Sequence, residues 1–378
     1  MYKGYKIQLF PNAEQEALMW KHIDASRFIW NYMLEYQIKA HERGEKHLKD
    51  YDMIRLLTPL KKQTDTAWLY EVSNATLQQV CKNLEFAYKT FFDKTNYFPR
   101  FKEKGKSKTS FAVRSNKIRF EDDKVWIEKL KFVKIKRPYE ISGKIIHPTI
   151  TYHNNKWILS FSIECDNQAI VTNGKRMGID LGIKEMAVVA YENQKIVFHN
   201  INKSKRVRTL EHKLKHIRRV VMKKYRTNGN YEKTNGILKY ENMQREIYNK
   251  LENIRNNYIH QTTHALIKMA PSTIVIEDLN IRDMMKNKHV AKDLADLALF
   301  EFIRQMKYKC SWHGINLIQA DRWYPSSKTC SACGFKKDKL KLSDRVYVCK
   351  NCGLEIDRDY NAAINLMRYV PPLERCTA

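Results

Sequence analysis

No apolar run in this sequence reaches the ~20 residues that span a bilayer, and the opening MYKGYKIQLFPN holds no signal-peptide core. Membrane-embedded functions are thereby excluded, and a cytoplasmic protein is expected. A disulfide framework is also missing. Of eight cysteines, four sit in two tight pairs, while Cys81, Cys165, Cys310 and Cys376 are scattered. That distribution fits a reducing compartment with one metal site. There is no internal repeat, no low-complexity tract and no H-E-x-x-H metalloprotease signature. Negative charge is scarce: 41 Asp plus Glu stand against 69 Lys plus Arg, a net charge of +28. Such an excess does nothing for a core and attracts a polyanion, nucleic acid first among them.

What is present reads as an α/β protein of several domains. With 378 residues the chain is long enough for two or three cores. YKGYKIQLFP alternates Tyr5, Ile7 and Leu9 against Lys6 and Gln8, so a strand is predicted. Asn12 with Gln15 three residues on makes an N-terminal capping box. Leu18, Ile23, Ile29, Tyr32, Met33 and Tyr36 then carry a helical stripe, and helices are predicted to about Lys94. TNYFPRFKEKGKSKTSFAVRSNKIRF is basic and interleaved with aromatics, as suits either a solvated loop or a segment lying on a phosphate backbone. PTITYHNNKWILSFSIE reads as a hairpin with Trp157, Leu159, Phe161 and Ile163 on one face. The first strand is expected to join this later sheet, with the helices inserted between them. NQAIVTNGKR reads as a linker.

A second strand-rich stretch, RMGIDLGIKEMAVVAYENQKIVFHN, precedes two long helices. Leu210, Leu214, Ile217 and Val221 line one face of the first, and Ile247, Leu251, Ile254 and Tyr258 one face of the second, so an antiparallel pair is expected. The first helix carries Arg206, Arg208, Lys213, Lys215, Arg218, Arg219, Lys223 and Lys224 with almost no acidic residue at i+4. Internal salt bridging cannot account for that run, so Arg206, Arg208, Lys215, Arg218, Arg219 and Lys223 are expected to face nucleic acid, with Arg322 added from just ahead of the paired cysteines. His260 and His264 lie four apart on the second helix. Packing or a phosphate contact is favoured there over a metal site.

Three acidic residues interrupt or close apolar segments. Asp180 breaks MGIDLGI, Glu277 ends STIVIE, and Asp359 opens the helix of DRDYNAAINL, where it could equally serve as a cap. Converging carboxylates bind hard divalent cations such as Mg²⁺, and a pair of such ions activates water and stabilises the leaving oxygen in phosphodiester cleavage. Together with the basic surface they suggest a nuclease. Cys330, Cys333, Cys349 and Cys352 form C-x₂-C-x₁₅-C-x₂-C, the spacing of a closed tetrahedral Cys₄ zinc site with a structural role. Gly334 and Gly353 follow the pairs where the backbone must bend around the metal.

GIDLGIK, IVIEDLNI and DRDYNAAINL, in that order, resemble the three motifs of RuvC-type nuclease domains. RWYPSSKTCSACG and the cysteine pairs just before the third motif narrow the resemblance to the TnpB family, transposon-encoded RNA-guided DNA endonucleases related to compact type V CRISPR effectors. The resemblance covers essentially the whole chain. It implies an RNase H-like (RuvC) nuclease domain over 171–323 and 354–378 with a zinc ribbon inserted at 324–353. Ahead of it, it implies a β-barrel wedge domain from 1–11 and 108–170 holding a helical recognition domain at 12–107. It further implies that Asp180, Glu277 and Asp359 bind catalytic Mg²⁺, two ions in all, beside one structural Zn²⁺. Asp357 would orient Arg358 or a metal-bound water. Expected partners are a guide RNA from the transposon end and target double-stranded DNA beside a short transposon-adjacent motif, in a prokaryotic cytoplasm. The alternatives are a nuclease-inactive RNA-guided repressor and a strand-transfer protein. Folding of the ribbon around zinc is expected to help seat the DRD segment.

Overall fold

The computed structural model describes residues 2–136, 141, 143–166, 169–229, 233–341 and 344–371. The start of the expected linker at Asn167, Cys376, and positions 372–378 of the expected nuclease domain lie outside them. The chain divides into two compact units, Met1–Asp166 and Asn167–Ala378.

In the first unit, β1 (Tyr2–Phe10) leads into α1 (Ala13–Glu42), α2 (Asp50–Lys61) and α3 (Asn74–Phe92). Six strands follow: β2 (Ser110–Ala112), β3 (Ile118–Glu121), β4 (Lys124–Ile127), β5 (Lys131–Ile135), β6 (Ile145–His153) and β7 (Lys156–Glu164). Asn12 and Gln15 form the expected capping box. The sheet is antiparallel throughout, in the order β2-β6-β7-β1-β5-β4-β3. β1 therefore joins strands more than a hundred residues downstream, as its alternation suggested. The β6–β7 turn places Asn154 and Asn155 at φ of 50° and 62°, the left-handed values a two-residue hairpin turn demands. Met19 and Ile23 of α1 pack on the sheet, while Ile29, Met33 and Leu34 further along α1 pack with α2 and α3. One helix thus serves two cores. The basic segment after α3 is tied to α1: Trp30 Nε1 donates to the Arg100 carbonyl at 2.9 Å, and Asn31 brackets the Lys102 backbone at 2.7 and 3.0 Å. Its Tyr97, Phe98 and Phe101 stay exposed.

In the second unit come β8 (Arg176–Leu181), β9 (Glu185–Tyr191), β10 (Gln194–His199), α4 (Lys205–Thr227), α5 (Asn235–Lys268) and β11 (Thr273–Glu277). Then follow α6 (Ile281–Met284), α7 (Lys288–Leu297), α8 (Leu299–His313), β12 (Asn316–Ala320), β13 (Val346–Val348), β14 (Glu355–Asp357) and α9 (Arg358–Arg368). The five-stranded sheet runs β10-β9-β8-β11-β12, with β10, β9 and β8 antiparallel and β8, β11 and β12 parallel. Met177, Ile179, Ile274 and Ile276 point to one face and pack with Leu266 of α5 and Phe302 of α8. The opposite face carries Gly178 and Val275, and α9 lies on it. α4 and α5 pair antiparallel: Tyr225 bonds Glu241 near one end, and Glu211 bonds Arg255 near the other. β13 and β14 pair with each other, so the hairpin crosses the expected domain boundary at 353/354.

Candidate metal sites and their geometry

Asp180 and Glu277 sit on adjacent parallel strands. The register pairs Ile179 with Ile276, which brings the next residue of each strand, both acidic, to the same sheet end. Side chains alternate along a strand. Asp180 therefore shares its face with Gly178, and Glu277 with Val275, the face covered by α9. α9 runs antiparallel to β8. Arg176 at the start of β8 donates to the Met367 carbonyl at 2.9 Å and to that of Tyr369, so the end of β8 meets the start of α9. A Cβ built on Gly178 would lie 2.0 Å from the Ala363 carbonyl oxygen and 2.3 Å from the Met367 nitrogen. The helix seats on the strand only because residue 178 has no side chain. Asp359 lies one helical turn before Ala363, and Asp180 two strand residues beyond Gly178, so both side chains project to one place.

Asp359 opens α9 but does not cap it. The cap is Asp357, whose Oδ1 accepts from the Tyr360 nitrogen at 2.9 Å and also meets Lys195 Nζ at 3.2 Å. This corrects one expectation. The capping alternative for Asp359 falls away, and Asp357 Oδ1 serves the helix end and Lys195. The Arg358 guanidinium donates to the Lys341 carbonyl at 2.9 Å.

The carboxyl of Asp180 is held well above the usual carboxylate range, first by burial, then by the negative charges of Glu277 and Asp359. Glu277 is raised too, mainly by burial, with Arg358 opposing. Buried carboxylates crowding one another disfavour ionisation, and a cation among them reverses the balance. The donor set, all oxygen from three elements, fits a hard divalent ion. The carboxylates are spread more widely than the cysteines, which among the described residues are the one group of three or more candidate ligands with all ligand atoms within 4.8 Å.

In that cysteine group, Cys330 and Cys352 sulfurs are 3.6 Å apart, as are those of Cys333 and Cys349. A tetrahedron with ~2.3 Å Zn–S bonds has edges of roughly 3.8 Å, so the sulfurs stand near zinc spacing. The two knuckles repeat one backbone design. Gly334 and Gly353 both sit at φ of 75°, and each donates to the carbonyl of the first cysteine of its pair, at 2.9 and 3.1 Å. Tyr347, fully buried, fills the ribbon and donates toward the Lys328 and Phe335 carbonyls.

Residues 160–288 match a family described as "Probable transposase", and residues 300–366 one described as "Cas12f1-like, TNB domain". Residues 1–46 match one described as "Helix-turn-helix domain", although in this structure they form β1 and the single long helix α1. A "Putative RNA-guided DNA endonuclease" of Streptomyces pristinaespiralis is 27% identical over 97% of this chain and 88% of its own. The "Putative RNA-guided DNA endonuclease InsQ" of Escherichia coli K12 is 28% identical over 97% and 91%. By these matches the chain is similar to the TnpB family along nearly its whole length. Among solved structures, the mini-RNA-guided endonuclease CRISPR-Cas phi3 shares the fold, with a TM-score of 0.50 at 11% identity over 97% of this chain and 92% of that one.

The other sequence-predicted positions fall as follows. Arg206, Arg208, Lys213, Lys215, Arg219 and Lys223 are all exposed on α4. Glu211, the acidic residue of that run, turns to Arg255 of α5 at 3.0 Å. Arg218 is exposed but already engaged, bonded to the Tyr248 hydroxyl and stacked 5.3 Å from its ring centre. Arg322 pairs with Asp278 at 2.9 Å, next to Glu277. His260 and His264 are exposed and join no metal-ligand group among the described residues. Sequence reasoning missed Gly178, the cap role of Asp357, and two buried asparagines of α9, Asn361 and Asn365. The spacing of that pair, four apart on a helix beside buried alanines, was the available signal.

Proposed function

We propose that this chain is a TnpB-family RNA-guided DNA endonuclease whose second unit is an RNase H-like (RuvC) domain. The observation that carries the reading is the meeting of Asp180, Glu277 and Asp359, from β8, β11 and α9, at one end of a sheet. The strand order there, three antiparallel strands followed by two parallel additions, suits that fold. The names of the full-length relatives supply the substrate and the guide. Mg²⁺ ions held by the three acids would supply an activated water and stabilise the leaving oxygen of a DNA phosphodiester. Asp180 and Glu277 are rigid ligands because each stands in a hydrogen-bonded strand. Asp359 is placed by the seat of α9 on Gly178. Asp278 holds Arg322 beside this end of the sheet, where its remaining donors suit a phosphate.

Exposed Arg206, Arg208, Lys215, Arg219 and Lys223 would grip the backbone of a guide–target duplex, while base pairing supplies sequence choice. The antiparallel sheet of the first unit would serve as the wedge barrel, with α1 to α3 as the recognition helices beside it. Zn²⁺ on Cys330, Cys333, Cys349 and Cys352 would be structural, since four thiolates leave no open position. The intact acid trio speaks against the nuclease-inactive alternative. The test is to sequence RNA copurifying with the protein, then assay Mg²⁺-dependent cleavage of DNA matching it. A discrete RNA and guided cutting that Asp180→Ala abolishes are expected. Only random RNA fragments, or cutting that survives in Asp180→Ala, would overturn the reading.

A further inference from the structure

α9 has two working faces. Asp359, Ala363 and Met367 lie four residues apart and look onto β8. Asn361 and Asn365 are displaced from them by two residues, about 200° around the helix, and look the other way. Both asparagines are buried, Asn361 to 0% exposure and Asn365 to 5%. A carboxamide so placed needs its hydrogen bonds met, and each finds them on the first cysteine knuckle. Asn361 Oδ1 accepts from the Ser331 nitrogen at 2.9 Å, and its Nδ2 donates to the Thr329 carbonyl at 2.7 Å. Asn365 Nδ2 donates to the Thr329 and Ser326 carbonyls, both at 2.7 Å. The peptide groups on either side of Cys330 are therefore clasped by the helix that carries Asp359. Arg368 adds a bond to the Ser331 carbonyl, and the Arg358 nitrogen one to the Arg345 carbonyl at 2.9 Å.

We propose that Asn361 is a positioning residue that couples the cysteine knuckle to the acid site. When the four sulfurs hold zinc, the Cys330 backbone is fixed. Asn361 then fixes the rotation and height of α9, and with them the place of Asp359 opposite Asp180. When zinc is lost, the knuckle backbone is released, the clasp loosens, and Asp359 no longer holds its place. Coupling of this kind is reciprocal: whatever zinc does for cation binding at the acids, a cation at the acids does for zinc retention. The inference rests on the reading of Asp359 as a metal ligand.

The probe is Mn²⁺ titrated into the full chain and followed by electron paramagnetic resonance, with zinc content measured in parallel. Zinc-loaded Asn361→Ala should keep one zinc per chain and its far-ultraviolet spectrum, yet bind Mn²⁺ about tenfold more weakly, the lower end of the effect of losing a residue that orients a ligand. Chelating zinc from the unaltered protein should weaken Mn²⁺ binding similarly, and chelation of Asn361→Ala should add little, because both act through one link. Mn²⁺ should slow zinc loss to a chelator in the unaltered protein and not in Asn361→Ala. A residue that merely helped the ribbon fold would leave Mn²⁺ affinity unchanged once zinc was bound, and that result overturns the coupling. If Asn361→Ala does not retain zinc, Asn365→Ser removes the bonds one turn along and is judged in the same way. Asp359→Ala is the control for the underlying reading. If it binds Mn²⁺ as tightly as the unaltered protein, the assignment of Asp359 fails and the coupling with it, whereas weak binding in Asp359→Ala with normal binding in Asn361→Ala sinks the coupling alone.

Discussion

Gly178 and Ala363 touch, backbone to backbone, with no room for one carbon between them. The contact lies one layer below Asp180 and Asp359, so it fixes how far apart those carboxylates stand. Gly178→Ala should push α9 off the sheet. Neither neighbour is a flexible side chain, so the cost should reach the upper end of overpacking, ~3 kcal/mol or more. A lowered melting temperature together with abolished nuclease activity is expected, and a stable, fully active variant would show that α9 does not need this seat.

Asp357 and Asp359 should separate cleanly. Asp359→Ala should bring guided cleavage to background while the fold stays intact. Asp357→Ala removes a cap, which costs ~1 kcal/mol, and should lower thermal stability modestly while most cleavage remains. The reverse pattern in the two variants would exchange their roles.

Elemental analysis of the purified protein should give one zinc per chain. Cys349→Ser should lose it and raise amide hydrogen exchange across 328–357, with exchange in the first unit unchanged. A zinc-free protein with a protected ribbon would contradict the closed Cys₄ site.

On α4, replacing Arg206, Arg208, Lys215, Arg219 and Lys223 with Gln should weaken nucleic-acid binding. It should also flatten the dependence of affinity on salt, by roughly 0.7–0.9 logarithmic units for each phosphate no longer neutralised. Arg218→Gln should differ from these, costing stability because the bond to the Tyr248 hydroxyl is removed. An unchanged salt slope in the combined variant would place the nucleic acid elsewhere.

The elements legible in the sequence were those written in local terms. Alternation gave β1 and the β6–β7 hairpin, spacing gave α4, α5 and the cysteine knuckles, and capping chemistry gave the start of α1. Even the joining of β1 to the later sheet was readable, because an amphipathic strand followed by helices must find partners further on. The acids were legible as anomalies in apolar segments, and motif order singled out Asp359. What stayed hidden depends on tertiary neighbours. Nothing near Gly178 tells that a helix nearly two hundred residues later will lie against it. In DRD either aspartate satisfies the rules for a cap, and only the position of β14, ending at Asp357, decides between them. Asn361 and Asn365 look like poor helix formers until the carbonyls they reach are known.

The last strand of the ribbon and the helix of the acid site share a junction without a spacer, since β14 ends at Asp357 and α9 starts at Arg358. One inserted residue there would turn Asp359 by about 100° away from β8. The seven residue steps from Cys352 to Asp359 thus act as a ruler, measuring from the metal knuckle to the acid, and a change in the number of residues there should be tolerated less than most changes in their identity.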